Sequence, residues 1–206
     1  MDPMQNGMGV TYARMLSYRM TLGRTGVALA MLLLAARATA GEYPLSGEFL
    51  HLASRATGMP GIRLGATGDA LPEGDLSADP RVTGAVLEVL GDGVLGADEP
   101  AVPLPGETWR ALGDPPGSRG FRYFDSSARF GVRRVSLRFG TRVSLSIRGG
   151  GPGWPYRASG MPRAVTVLLH VGDEVYCASF ERFSRGRDGA MCASHNPPPA
   201  TCRYDT

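Results

Sequence analysis

Between Arg134 and Arg148 the chain reads RVSLRFGTRVSLSIR, and apolar and polar residues alternate one for one on both sides of Gly140-Thr141. Successive side chains of a strand point to opposite faces, so this spelling places Val135, Leu137 and Phe139 with Val143, Leu145 and Ile147 on one face of a ribbon. Arg134, Ser136, Arg138, Arg142, Ser144, Ser146 and Arg148 take the other. A helix would scatter the same aliphatics around its circumference. Gly140-Thr141 is a two-residue link with glycine first, which predicts a type II′ turn. The stretch reads as an antiparallel hairpin with one aliphatic face and one arginine/serine face.

The same period recurs along the chain. Val165, Val167, Leu169 and Val171 alternate up to Gly172-Asp173, and Val175 to Phe180 returns, which predicts a second hairpin. Further strands are predicted at Glu48–Ala53, Gly61–Ala66, Arg81–Leu90, Thr108–Leu112 and Gly120–Phe124, the last with Phe121 and Tyr123 on one face. The links LPEGDLSADP, GDPPGS and GGGPGWP are made of turn residues, and the 29 Gly and 16 Pro are spread without a break that would divide domains. No helical periodicity is found beyond residue 40. Many short strands with Gly/Pro-rich turns predict an all-β class: a single antiparallel β-sandwich, or partly open barrel, over residues 41–206.

Residues 20–40, MTLGRTGVALAMLLLAARATA, have a different grammar. Arg24 supplies positive charge, Val27 to Ala36 form an uncharged apolar run, and Ala38-Thr39-Ala40 is a small-x-small site. That order describes a secretory signal peptide cleaved between Ala40 and Gly41. A membrane span needs about 20 apolar residues, and this run stops short of that at Arg37. No cysteine follows the site to carry a lipid, so the expected destination is the periplasm, the cell surface or the medium. Residues 1–19 have no periodic pattern and read as an upstream stretch ahead of a start at Met20. The full chain carries a formal net charge of +3, but residues 41–206 hold 18 Arg and 18 Asp plus Glu, with no lysine. The exported form therefore lacks the excess of cations that nucleic-acid binding rests on.

The order "ADPRVTGAVLEVL", "ETWRALG…GFRYFD", "VRRVSLRFGTRVSLSIRG", "VTVLLHVGDEVYCASF" and "NPPPATC" resembles a family of secreted proteins from GC-rich bacteria. Its members show a "GW…GYRY" stretch, an alternating hairpin, and a "YCA.F" strand followed by "APAP..C". The resemblance spans roughly residues 45–203. It implies the domain boundaries and the secreted state, and assigns no catalytic residue. This chain departs from the pattern in placing arginine where lysine is usual in the hairpin, and Cys192 where an aromatic or aliphatic residue is usual.

All three cysteines lie between Cys177 and Cys202. In an oxidising compartment paired cysteines usually form structural disulfides. The resemblance matches Cys177 and Cys202 to the family's two recurrent cysteines, and so implies a Cys177–Cys202 bond closing 26 residues. Cys192 is then left over, as a small buried residue, an intermolecular partner or an exchange partner. An enzyme reading would make Cys192 a nucleophile with His195 or His170 as base, in a secreted hydrolase. No nucleophile-elbow or papain-type motif supports it. His195 precedes three prolines and reads as part of an exposed turn. No metal or cofactor is expected. The cysteines lack zinc-ligand spacing. The acidic loop with Asp69, Glu73, Asp75 and Asp79 lacks the alternate-residue calcium pattern and reads as a solvated turn. RGGGPGW has neither the lysine nor the following helix of a phosphate loop, and its glycines read as a corner beside Trp154 and Tyr156.

Charge is divided along the chain. Residues 41–109 carry 3 Arg against 11 acids, and residues 110–163 carry 11 Arg against 2. Arg134, Arg138, Arg142 and Arg148 share the polar face of the hairpin, close enough to repel unless something anionic intervenes. The commoner outcome is that the acidic half folds against them in a lattice of weak surface ion pairs. The alternative is a site for an anionic partner, since guanidinium forks suit carboxylate and phosphate. The function expected is a non-catalytic binding or structural module, with an anionic polysaccharide, a lipid headgroup or an acidic protein as partner.

Overall fold

In the computed structural model the alternating stretch forms the hairpin it predicts. Val132–Arg138 and Arg142–Gly150 pair antiparallel, with Val135 opposite Ile147 and Leu137 opposite Leu145. The link differs from expectation. Gly140 does not take the positive φ of a type II′ turn. Phe139 instead leaves the ladder, its amide donating to the Arg119 carbonyl at 3.3 Å, and its ring packs edge-on against Phe121. The structure describes residues 41–53, 60–71, 78–91, 101–156, 160–186 and 190–202. The expected upstream stretch 1–19, the signal peptide 20–40, and Glu73 and Asp75 of the acidic loop lie outside these.

Among the described residues thirteen strands follow in order: β1 (Glu42–Pro44), β2 (Ser46–Ala53), β3 (Gly61–Asp69), β4 (Ala85–Gly91), β5 (Val102–Leu104), β6 (Trp109–Leu112), β7 (Gly120–Phe124), β8 (Val132–Arg138), β9 (Arg142–Gly150), β10 (Ala164–Val171), β11 (Glu174–Glu181), β12 (Ser184–Arg185) and β13 (Met191–Asn196). They form a five-stranded sheet ordered β1-β11-β10-β4-β5 and an eight-stranded sheet ordered β12-β13-β2-β3-β9-β8-β7-β6. The fold is an all-β sandwich, antiparallel at every pairing except β1 with β11, which is parallel. At Leu45, 1% exposed, the chain crosses from β1 in one sheet to β2 in the other, with the Leu45 amide held by the Cys177 carbonyl at 2.7 Å. Such sheet-switching corners close a sandwich at its edge.

The strand predicted from Arg81 begins late. Asp79 accepts the Arg81 amide at 2.9 Å and Pro80 occupies the first helical position, so Pro80–Thr83 forms one helical turn, α1, before β4 starts at Ala85. The second hairpin turns through Gly172, which takes a positive φ, as its two-residue link demands. Strands β1, β5, β12 and β13 were not legible as alternating runs.

Between the sheets lies one core. Leu50, Leu52, Ile62, Leu64, Val135, Leu137, Leu145 and Ile147 of the larger sheet meet Leu87, Val89, Val165, Val167, Leu169, Tyr176 and Phe180 of the smaller, all at most 4% exposed. Each such side chain contributes about 1.5–3 kcal/mol by leaving water. Trp154 and Tyr156, in the glycine-rich corner, are buried with them. The Tyr156 hydroxyl accepts from the Val89 amide at 3.0 Å, where β5 has run out and left the flank of β4 without a strand. Tyr156→Phe removes that acceptor from a buried N–H and is expected to lower unfolding free energy by about 1–3 kcal/mol in urea titration.

The Cys177–Cys202 disulfide is present, with Cα atoms 5.4 Å apart. It lies on the outer face of the smaller sheet, where Leu168, Cys177 and Cys202 form a second apolar cluster beside Leu90 and Val175. The Cys202 amide also donates to Glu42 at 3.1 Å, so the proline-rich tail is fastened at two points. Among the described residues no helix is long and apolar enough to cross a membrane.

Candidate functional site

Residues directly opposite on neighbouring antiparallel strands share a face with Cβ atoms about 4.5–5.5 Å apart. Register therefore decides which polar side chains meet on the outer face of the eight-stranded sheet. Arg134 of β8 stands opposite Arg148 of β9, and Arg148 opposite Arg63 of β3. The row continues to Phe124 of β7 on one side, and to His51 of β2 and Cys192 of β13 on the other. Three arginines thus occupy three adjacent strands at one level. The sequence singled out Arg134 and Arg148 but not Arg63, because its neighbour in the row is set by long-range pairing.

The next row contains Arg110, Arg122, Ser136, Ser146, Gly65 and Ser194 on successive strands, with Phe49 of β2 opposite Gly65. Gly65 is needed here for close approach: a Cβ would collide with the Phe49 ring, which lies down over the position. Ser136 is only 7% exposed, and its hydroxyl has no hydrogen-bond partner; the buried Nε of Arg122, opposite it, has none either. Arg138 falls in a third row, opposite Ser144 and Gly120. Arg142 lies at the strand end opposite Asp69, so its charge faces a carboxylate and it stands apart from the cluster.

These rows form adjoining depressions. One of about 680 Å³ is lined by His51, Arg63, Phe124, Arg134, Arg148 and the Gly149–Gly151 backbone. A second of about 300 Å³ shares Arg134 and Arg148 and is floored by Ser136, Ser144 and Ser146. A third of about 340 Å³ shares His51 and reaches Phe49, Arg182 and Cys192.

The expected lattice of ion pairs over this face is not formed among the described residues. None of Arg63, Arg134, Arg138, Arg142 and Arg148 has a carboxylate within ion-pairing distance there. Glu42 is engaged with the Cys202 amide, Asp79 with Arg81 and Glu88 with His170 at 3.4 Å, all away from this face, while Glu48 accepts from Thr67 at 3.2 Å in the row of Ser144 and Arg138. Like charges directly opposite destabilise a sheet, typically by about 0.2–1 kcal/mol per pair, and among the described residues no carboxylate compensates the repulsion within the arginine row.

The connection before β8 fixes one end of the arginine row. Asp125 follows Phe124, and its carboxylate accepts from the Ser127 hydroxyl at 2.6 Å, the Ser127 amide at 2.9 Å and the Arg129 amide at 2.9 Å. The Ser127 hydroxyl is foremost in holding the Asp125 carboxyl below the usual aspartate range. A depressed folded pKa means stabilisation that is complete above the unfolded value near 3.9 and is lost as pH falls through the folded one. The amides of Ser127 and Arg129 are accordingly expected to stay protected from exchange at pH 5 and to lose protection below about pH 4, and in Asp125→Ala to be unprotected at both.

Cys192 stands outside the disulfide, half-buried, and lies on β13 rather than in a loop. Its cross-strand neighbour is His51, not His195. His195 is exposed, at a positive φ of 57°, where the pairing of β13 with β2 skips from Ser194 to Asn196. His170, the other expected base, is on β10 at the outer face of the opposite sheet, against Glu88. Among the described residues no three His, Cys, Asp or Glu side chains converge as a metal site would require. No protein-family model, curated protein or solved structure matches the chain.

Proposed function

We propose that the chain is an exported, non-catalytic module that binds an anionic ligand on the outer face of its eight-stranded sheet. One observation carries the reading: Arg134, Arg148 and Arg63 stand in a cross-strand row without a carboxylate partner among the described residues. A free protein gains nothing from such a row, whereas an anion bound across it relieves the repulsion and receives charge-assisted, forked hydrogen bonds. Export rests on the leader-like residues 20–40 and on the family resemblance, and is supported by the disulfide, a bond that persists in oxidising compartments. The test is binding to a carboxylated polymer and to a neutral one of the same length. The carboxylated polymer is expected to bind, with affinity falling steeply between low and physiological salt as exposed charges are screened. Equal binding of both polymers, or of neither, would contradict the proposal.

A second reading, a hydrolase acting through the Cys192 thiol, is favoured by His51 opposite it rather than by His195. It requires a thiolate well below the ordinary cysteine pKa of about 8.5, and so rapid alkylation of Cys192 at pH 6.

A further inference from the structure

We infer that the ligand is an acidic polysaccharide lying across the strands, with one of its acid groups seated on Ser136. This rests on the anion-binding reading and names its ligand. Ser136 is buried to 7% exposure, its hydroxyl lacks a partner, and the residue lines the floor of the depression framed by Arg134, Arg138 and Arg148. Buried hydroxyls are nearly always satisfied, so the orphan marks a place where a ligand completes the bonding. A donor hydroxyl under three guanidinium groups is complementary to an oxyanion with several acceptor oxygens.

The rest of the face argues for a sugar chain. The first and third depressions adjoin across β3, β2 and β13, the second continues the first along β8 and β9, and strands repeat at about 4.8 Å, comparable with one pyranose unit of an extended chain. Successive units would meet successive side chains of a row. Phe124 and Phe49 display their rings to solvent at 60% and 46% exposure on this same face, among arginines, serines and the His51 and Cys192 side chains. Apolar rings beside cations and hydroxyls suit the C–H faces, acid groups and hydroxyls of an acidic sugar together. An acidic protein surface would need an apolar centre to pack on, which two separated rings do not supply. Phosphates along a stretched nucleic-acid strand repeat at longer intervals than the rows offer.

The experiment is calorimetric titration of the full domain with a polygalacturonate oligomer, inorganic polyphosphate and single-stranded DNA, for wild type, Ser136→Ala and Phe124→Ala. Polygalacturonate is expected to bind best. Ser136→Ala should weaken it about ten- to a hundredfold, as loss of a hydrogen bond to a charged group does, with an unchanged melting temperature. Phe124→Ala should weaken polygalacturonate several-fold and leave polyphosphate unaffected. If polyphosphate or DNA binds as tightly, or Phe124→Ala changes nothing, the sugar inference is overturned while anion binding stands. Unchanged affinity in Ser136→Ala removes the seat. If no polyanion binds to wild type, both readings fall together.

Discussion

Arg148→Glu is expected to lower the affinity for a polyanion by about a hundredfold or more, while leaving the fold as stable as before or slightly more so. Arg148 is the middle of the row, opposite Arg134 on one side and Arg63 on the other, and it lines two of the three depressions. Removing its charge-assisted hydrogen bond costs about 1.5–3 kcal/mol of binding, and the added repulsion between glutamate and ligand raises the total further. In the unbound protein the same change places a carboxylate between two arginines. Each cross-strand opposite-charge pair contributes about 0.2–1 kcal/mol, so stability should hold or rise. Binding falling as stability rises separates this outcome from simple unfolding. Arg142→Glu is the control: it faces Asp69 and stands outside the cluster, so it should cost a little stability and little affinity. Equal losses of affinity at the two positions would mean that general charge, not the row, attracts the ligand.

Removing the disulfide by Cys177→Ala with Cys202→Ala is expected to lower the unfolding free energy by about 3 kcal/mol, the chain-entropy value for a loop of this length. For a domain of this size that is a fall of roughly 6–12 °C in Tm. The loss should not stop at entropy. Cys202 covers Leu168 and Cys177 on the outer face of the smaller sheet, and its amide is held by Glu42 of the edge strand β1. A released tail would expose that cluster and loosen β1, so amide exchange should quicken first at Val175 to Cys177. The arginine face is on the other sheet, and polyanion affinity at a temperature where the variant remains folded should be unchanged. A fall in affinity matching the fall in stability would mean that the face depends on the staple.

The fold class was legible because two hairpins spell their own period. From Arg134 to Arg148 apolar and polar residues alternate on both sides of the turn, and on β10 Val165, Val167, Leu169 and Val171 recur at every second place, each at most 1% exposed. Where alternation was broken, the reading failed for identifiable reasons. Asp79-Pro80 stops a strand and starts a helical turn, because a carboxylate cap and a proline at the first position outweigh the β-branched residues that follow. MCASHN has few apolar residues and leads into prolines, yet it forms β13 because β2 presents an open edge to it. The arginine face was half legible. Four arginines sat on the polar side of one hairpin, but register put Arg138 and Arg142 in other rows and recruited Arg63 of β3 to stand beside Arg148. Among the described residues the acidic half leaves the arginine row uncovered, and three of its carboxylates hold a tail, a helical turn and a neighbouring histidine instead.

The most direct measurement follows the arginine side chains themselves. In ¹⁵N-labelled protein titrated with a polygalacturonate oligomer, the Nε–Hε signals of Arg63, Arg134 and Arg148 are expected to shift together and saturate at one affinity. Those of Arg81, on α1, and Arg163, just before β10, should stay in place. Shifts spread evenly over all arginines, or confined to residues outside the row, would contradict the row as the binding surface.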